Sequence, residues 1–249
     1  MEPTERFSGK VDAYEKHRPG YPPGLYATLR DGGLRPEHAI ADIGSGTGIS
    51  SKVFLDEGHD VWAVEPNAAM RAAAERTLGR DPKFHSIDGK AEATGLPDAS
   101  VDWVVAGQAF HWFDLGPTRL ELQRILRPGG VVAVFWNVRT TDTAFLAGYE
   151  ALLLEYQTDY SSIRHENAEQ RVAGFLGVPS VAWHILPWER KLPLDGLHGL
   201  LASVSYVVPP GDPRHGVMLS DLDALFAEHQ VDGTVTIHYE TRLAFSPLV

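Results

Sequence analysis

Residues 40–48 read Ile40-Ala41-Asp42-Ile43-Gly44-Ser45-Gly46-Thr47-Gly48, and seventeen residues beyond Gly48 stands Glu65. The stretch predicts a buried strand, a glycine turn, a helix, a second strand and then an acid. Glycines at 44, 46 and 48 remove Cβ atoms, so the backbone can turn sharply and a ligand can approach it closely. A carboxylate at the tip of the second strand suits a ribose diol, because it accepts two hydroxyl hydrogen bonds. Together these features describe a nucleoside site at the carboxyl edge of a parallel sheet.

The spacing separates two kinds of nucleoside. A dinucleotide fingerprint is G-x-G-x-x-G, with phosphates seated on a helix N-terminus. Here the spacing is G-x-G-x-G, and Ile49 stands where the third fingerprint glycine would be. Asp42, just before the loop, would repel a pyrophosphate. It suits a ligand carrying an ammonium, a sulfonium and a ribose, which is the description of S-adenosylmethionine. A tight turn with no ligand is the alternative for the glycines alone.

Outward from this unit the chain alternates. Strands are expected over His38–Ile43, Asp60–Val64, Lys83–Ile87, Val101–Ala106 and Val131–Asn137. Helices are expected over Thr47–Glu57, Ala68–Leu78 (capped by Asn67) and Pro117–Leu126. Val131–Asn137 is almost wholly apolar, as in the middle of a parallel sheet. Strands with intervening helices predict a doubly wound α/β sheet. Residues 1–37 form an N-terminal arm rich in Pro, Gly and aromatics, with short helices at Val11–His17 and Pro23–Leu34. It acts as a lid or packs on the surface. Residues 38–137 form the cofactor-binding core and 138–218 a cap or substrate region. Residues 219–249 supply a final helix and edge strand, Leu219–His229 and Gly233–Phe245. Within the cap, helices are expected at Thr143–Gln157, Glu166–Leu176 and Leu194–Val204. Val181–Leu192 reads as a strand in which Pro187 is a breaker or bulge.

Composition narrows the partners. The chain has 249 residues and a formal charge of −11. Such a surface disfavours nucleic acid and anionic membranes. There is no cysteine, hence no disulfide framework, thiolate nucleophile or cysteine metal site. The N-terminus lacks the apolar region of a signal peptide, and no apolar run approaches membrane-spanning length. A cytoplasmic protein, monomer or homodimer, is the expectation. The 11 histidines are scattered, with no H-x-x-x-H pair, so no metal is expected. No G-x-S-x-G elbow supports a hydrolase.

With these blocks in place, the chain resembles the class I S-adenosylmethionine-dependent methyltransferases. The likeness rests on Ala41–Gly48, Val64–Met70, Gly89-Lys90-Ala91-Glu92 with Leu96-Pro97-Asp98, and Leu126-Arg127-Pro128-Gly129-Gly130. The arm Tyr14…Arg18-Pro19-Gly20-Tyr21-Pro22 and Gln108-Ala109-Phe110-His111-Trp112-Phe113 are similar to the small-molecule branch. That branch includes trans-aconitate methyltransferase-like and ubiquinone-pathway-like enzymes. The resemblance implies a seven-stranded, mostly parallel Rossmann-like sheet with an N-terminal arm and a C-terminal cap insertion. It also implies transfer of a methyl group from S-adenosylmethionine to a small organic acceptor. Asp42, Gly44 and Gly46 would line the methionine part of the cofactor, with Gln108 nearby and Ser45 a further cofactor contact. Glu65 would hold the ribose hydroxyls, with Pro66 and Met70 against the adenine or its ribose. Ala91 and Glu92 would meet the adenine edge. Many relatives carry an acid where this chain has Lys90, which leaves Glu92 or Asp88 to accept from the adenine amino group. Tyr14 and Arg18 would close over the cofactor, Arg18 on its carboxylate.

Methyl transfer from a sulfonium is an in-line displacement, governed mainly by alignment. A base is needed only if the acceptor starts protonated. His111 is the candidate catalytic base; the alternative is that His111-Trp112 packs under the cofactor and hydrogen-bonds a main-chain carbonyl. Tyr21, Phe110 and Trp112 are the candidate substrate-binding residues, with Phe113 beside them. Trp183, Trp188, Tyr206 and His198 line the acceptor pocket or pack the lid. Two other classes compete on this fold: a nicotinamide oxidoreductase, and a non-catalytic cofactor- or partner-binding protein.

Overall fold

The computed structural model describes residues 15–158, 168–204 and 206–248. It contains one seven-stranded sheet. Strand β1 (Ile40–Ile43) leads through the glycine loop to α2 (Ile49–Leu55), after an arm that carries α1 (Gly24–Asp31). Then come β2 (Val61–Val64), α3 (Ala68–Leu78), β3 (Phe84–Ile87) and β4 (Val101–Gly107). A 3-10 turn at Phe110–Trp112 precedes α4 (Leu115–Ile125) and β5 (Leu126–Arg139). The later part holds α5 (Ala144–Glu155), α6 (Ala168–Leu176), β6 (Trp183–Leu192), α7 (Leu194–Ser203), α8 (His215–His229) and β7 (Val235–Pro247). Tyr14 and most of the helix expected at Val11–His17 lie outside the described residues.

The strand order is β3-β2-β1-β4-β5-β7-β6. Strands β1 to β5 pair in parallel, and β7 runs antiparallel between β5 and β6. This is the Rossmann-like methyltransferase fold. The burial follows from position. All four residues of β1 are buried, as are Val132–Trp136 in the middle of β5. Both strands lie between neighbours and under helices on two faces. The last strand, β6, alternates exposed and half-buried residues, as one-sided packing at an edge requires.

The structure differs from expectation in the later part. Strand β6 falls within the span 138–218 expected as a cap, yet it pairs with β7 along ten residues and completes the sheet. Pro187 neither breaks nor bulges it. It sits opposite Glu240 in unbroken register, which an edge strand permits because an outward-facing N–H is not needed there. Helix α8 begins at His215 rather than Leu219, so residues 215–218 are helical as well. Strand β5 starts at Leu126, with a register shift between the Val101–Leu126 and Trp103–Val131 pairs, where Gly129 adopts φ +80°.

Candidate cofactor and acceptor cavity

Strand order reverses between β1 and β4, and a crevice opens above their carboxyl ends, where open α/β sheets bind ligands. The loop after β1 is tied to the end of β2: the N–H groups of Gly44 and Ser45 both donate to Val64 O, at 2.8 and 3.2 Å. Gly44, Gly46 and Gly48 all have positive φ (+70°, +57° and +86°). Their surroundings differ. A Cβ on Gly44 would come within 2.7 Å of the Ala109 Cβ, and one on Gly48 within 2.5 Å of Leu78. A Cβ on Gly46 would enter open space. The first and third glycines serve packing, and the second serves the crevice.

Glu65 caps β2 and is 9% exposed. Its carboxylate accepts from the N–H of Gly46 (3.0 Å) and of Asn67 (2.8 Å). Asn67 in turn caps α3, its Oδ1 accepting from the N–H groups of Ala69 and Met70. One acid therefore clamps the glycine loop to the start of α3. Burial raises its pKa above the ordinary carboxylate value; the two amides and the Arg71 guanidinium pull it back.

The cavity has a volume of about 260 Å³. Gly44, Ser45, Gly46 and Thr47 form one wall, with Ile49 and Ser50 beneath. Glu65, Pro66, Asn67 and Met70 form a second wall. Lys90, Ala91 and Glu92 close one end. Gly107, Gln108 and Ala109 come from the end of β4, with Trp112 and Phe113 beyond. Arg18, Pro19 and Tyr21 come from the arm. Gln108 has φ +57°, a conformation that side chains adopt reluctantly and that tends to mark functional sites. Its N–H donates to Phe135 O at 2.9 Å, which fixes the turn. Tyr21 stands edge-on to Phe135, ring centroids 4.8 Å apart, and its hydroxyl lies against Gly107.

Asp42 is not a wall residue. It is fully buried behind the loop, and its Oδ2 accepts from the hydroxyls of Ser50 and Ser51, each at 2.6 Å. Its other oxygen, Oδ1, has no partner, and Thr47 Oγ1 is likewise buried without one. Burial pushes the Asp42 carboxyl up to about 6, against the pull of the two serine hydroxyls. Unfilled acceptor capacity behind the loop, a buried acid at the end of β2 and open space before Gly46 fit S-adenosylmethionine.

Phe110 and His111 are not among the residues lining the cavity. Phe110 does not face the cavity; the 3-10 turn sends its ring into the core, edge-on to Phe113 and Phe175. The next residue, His111, is not among the cavity walls, and its ring lies tilted against Trp112 at 4.6 Å. Trp112 carries the wall instead. Asp88 pairs with Arg71 at 3.0 Å and is not on the wall, whereas Glu92 is. In the later part, Trp183 packs edge-on to Trp136, and His198 pairs with Asp223, away from the cavity. Wall residues not foreseen as ligand contacts include Pro19, Thr47, Ile49, Ser50, Asn67, Gly107 and Ala109. Asn67 had a sequence signal, since a helix cap two residues after Glu65 sits beside that acid.

Among the described residues no helix is long and apolar enough to cross a membrane, and no cluster of metal-ligating side chains occurs. The family described as "Methyltransferase domain" matches residues 41–134. An uncharacterised methyltransferase of Mycobacterium tuberculosis is 32% identical over 223 residues, 90% of this chain and 86% of that protein. An uncharacterised methyltransferase-like protein of Schizosaccharomyces pombe is 27% identical over 224 residues, 88% of this chain and 85% of its own length. Among solved structures, one described as a type II methyltransferase from Anaeromyxobacter dehalogenans has a TM-score of 0.72 at 28% identity. It covers 93% of this chain and 98% of its own. On sequence, sheet order and site together, the chain belongs to the class I S-adenosylmethionine-dependent methyltransferases.

Proposed function

We propose that this chain holds S-adenosylmethionine in the cavity above β1 and β4 and passes its methyl group to a small organic acceptor by in-line displacement. The observation that carries the proposal is the placing of Glu65. It is a buried acid fixed by two backbone amides, facing a cavity whose far side is Tyr21, Gln108 and Trp112. When bound, the cofactor supplies a methyl on a positively charged sulfur with a neutral thioether as leaving group.

The chain's own residues bind and orient. Glu65 takes the ribose hydroxyls, and Pro66, Met70, Ala91 and Glu92 surround the adenine end. Asp42 places negative charge behind Gly44, Ser45 and Gly46, where the ammonium belongs. Arg18 is positioned for the cofactor carboxylate. Gln108 and Tyr21 narrow the passage toward the acceptor, and Trp112 supplies an aromatic face for the sulfonium or the acceptor. Alignment of this kind accounts for about 7–11 kcal/mol of barrier lowering in well-oriented reactions. A recessed cavity on a chain of charge −11 favours a small molecule over nucleic acid. Off the cavity wall, His111 has no place in this scheme.

The test is label transfer. Protein incubated with methyl-tritiated S-adenosylmethionine and a cell extract should move the label into the small-molecule fraction. A chiral methyl should arrive inverted, as a single displacement requires. Label found only in protein or nucleic acid, or retained configuration, would refute the proposal.

A further inference from the structure

Beyond the cofactor cavity, the same face of the sheet carries a buried excess of hydrogen-bond donors. Register sets it up. Phe135 opposes Leu243, Asn137 opposes Thr241, and Arg139 opposes Tyr239, so these side chains share one face in successive rows. Trp188 of β6 continues the last row, stacked on Tyr239 at 4.7 Å. The Asn137–Thr241 row is internally satisfied. Trp188 Nε1 donates to Thr241 Oγ1, Thr241 donates to Asn137 Oδ1, and Asn137 donates to Gly20 O in the arm.

The Arg139–Tyr239 row is not satisfied. Arg139 pairs with Glu150 at 2.7 Å and lies over the Tyr149 ring of α5 at 4.6 Å, but its Nε has no acceptor. The hydroxyls of Tyr149 and Tyr239 are buried with no partner, in residues 0% and 5% exposed. Both tyrosines feel the charges of Arg139 and Arg18, and Tyr239 also that of Arg190. Arg18 is itself a wall of the cofactor cavity. Native folds leave few buried donors unmet, and each such group calls for an explanation. Here the partnerless Arg139 Nε and two tyrosine hydroxyls lie near several guanidinium groups, on a chain that is otherwise strongly acidic.

We infer that Arg139, Tyr149 and Tyr239 form an anion-binding subsite that holds a carboxylate or phosphate group of the methyl acceptor. The group held there is a handle, distinct from the atom that is methylated. It lies four residues along β5 from the Phe135 row on which Tyr21 packs, about 13 Å at the usual strand rise. This inference rests on the proposed methyl transfer to a small molecule and names its substrate class.

The test uses the full chain saturated with S-adenosylhomocysteine, titrated calorimetrically with succinate, with inorganic phosphate and with neutral succinamide. Succinate or phosphate should bind and succinamide should not; the anion that binds tells carboxylate from phosphate. Tyr149→Phe and Tyr239→Phe should each weaken that anion about tenfold, the loss of a hydrogen bond to a charged group, while leaving S-adenosylhomocysteine affinity unchanged. Without ligand, Tyr149→Phe should unfold at the wild-type temperature or above it, because the lost hydroxyl had no partner. No anion binding, unchanged anion affinity in both variants, or a clear fall in the unfolding temperature of Tyr149→Phe would each overturn the inference. Failure of S-adenosylhomocysteine itself to bind would instead strike the cofactor assignment.

Discussion

Gly46→Val separates the crevice from the fold. Gly46 has φ +57°, and an added Cβ meets nothing in the protein. The folded state therefore bears only the cost of a branched residue in the left-handed region, about 1–2 kcal/mol. For a chain of this size that lowers Tm by about 2–8 °C. The valine methyls would occupy the space in which the cofactor must lie against the loop, so binding should be lost altogether. Gly129 supplies the control: φ is +80°, the surrounding space is open, and the residue is exposed, outside the cavity. Gly129→Val should show a comparable Tm loss with full cofactor affinity. Thermal unfolding and calorimetric titration with S-adenosylhomocysteine read both effects. If Gly46→Val binds S-adenosylhomocysteine within about threefold of wild type, a difference of roughly 0.65 kcal/mol, the space before Gly46 is not cofactor space.

Other expectations follow from the same geometry. Gly44→Ala should damage the fold more than Gly46→Ala, since its Cβ would collide with Ala109; comparing their urea midpoints checks this. Asp42 is held near 6 by burial, so below that pH it gains a proton and loses the charge offered to an ammonium. S-adenosylhomocysteine affinity should fall as pH drops from 7.5 to 5, and Asp42→Asn should flatten that dependence. In the ligand-free protein the sign is opposite. A raised folded pKa makes ionisation costly, so the Asp42 contribution to stability is greatest at low pH and is lost as pH rises through about 6. Chemical denaturation of wild type and Asp42→Asn across that range measures it. His111→Ala should leave both cofactor affinity and turnover of the labelled acceptor near wild type; a hundredfold fall in turnover with intact binding would restore it as a base.

What the sequence showed plainly was the local unit. The β1 loop, Asn67 as a cap and Glu65 at a strand tip are each set by residues within about one strand–helix–strand span, where spacing translates directly into geometry. Resemblance extended that to the seven-stranded sheet. Less legible was anything decided by a short turn or by distant pairing. In Phe110-His111-Trp112 three neighbouring rings compete, and a single 3-10 turn has no period from which to read which one turns inward. The result is Phe110 in the core and Trp112 on the wall. Pro187 reads as a breaker until β6 is known to be an edge strand. The Arg139, Tyr149 and Tyr239 cluster joins residues about a hundred positions apart through the β5–β7 register, which no local pattern encodes.

The central assignment, that Glu65 and the Gly44–Gly48 loop hold S-adenosylmethionine, meets its most direct test in one calorimetric titration. S-adenosylhomocysteine should bind wild type with a single site, and Glu65→Ala should lose most of that affinity, while NAD and NADP give no heat beyond dilution. Binding of a nicotinamide cofactor, or undiminished S-adenosylhomocysteine affinity in Glu65→Ala, would contradict it.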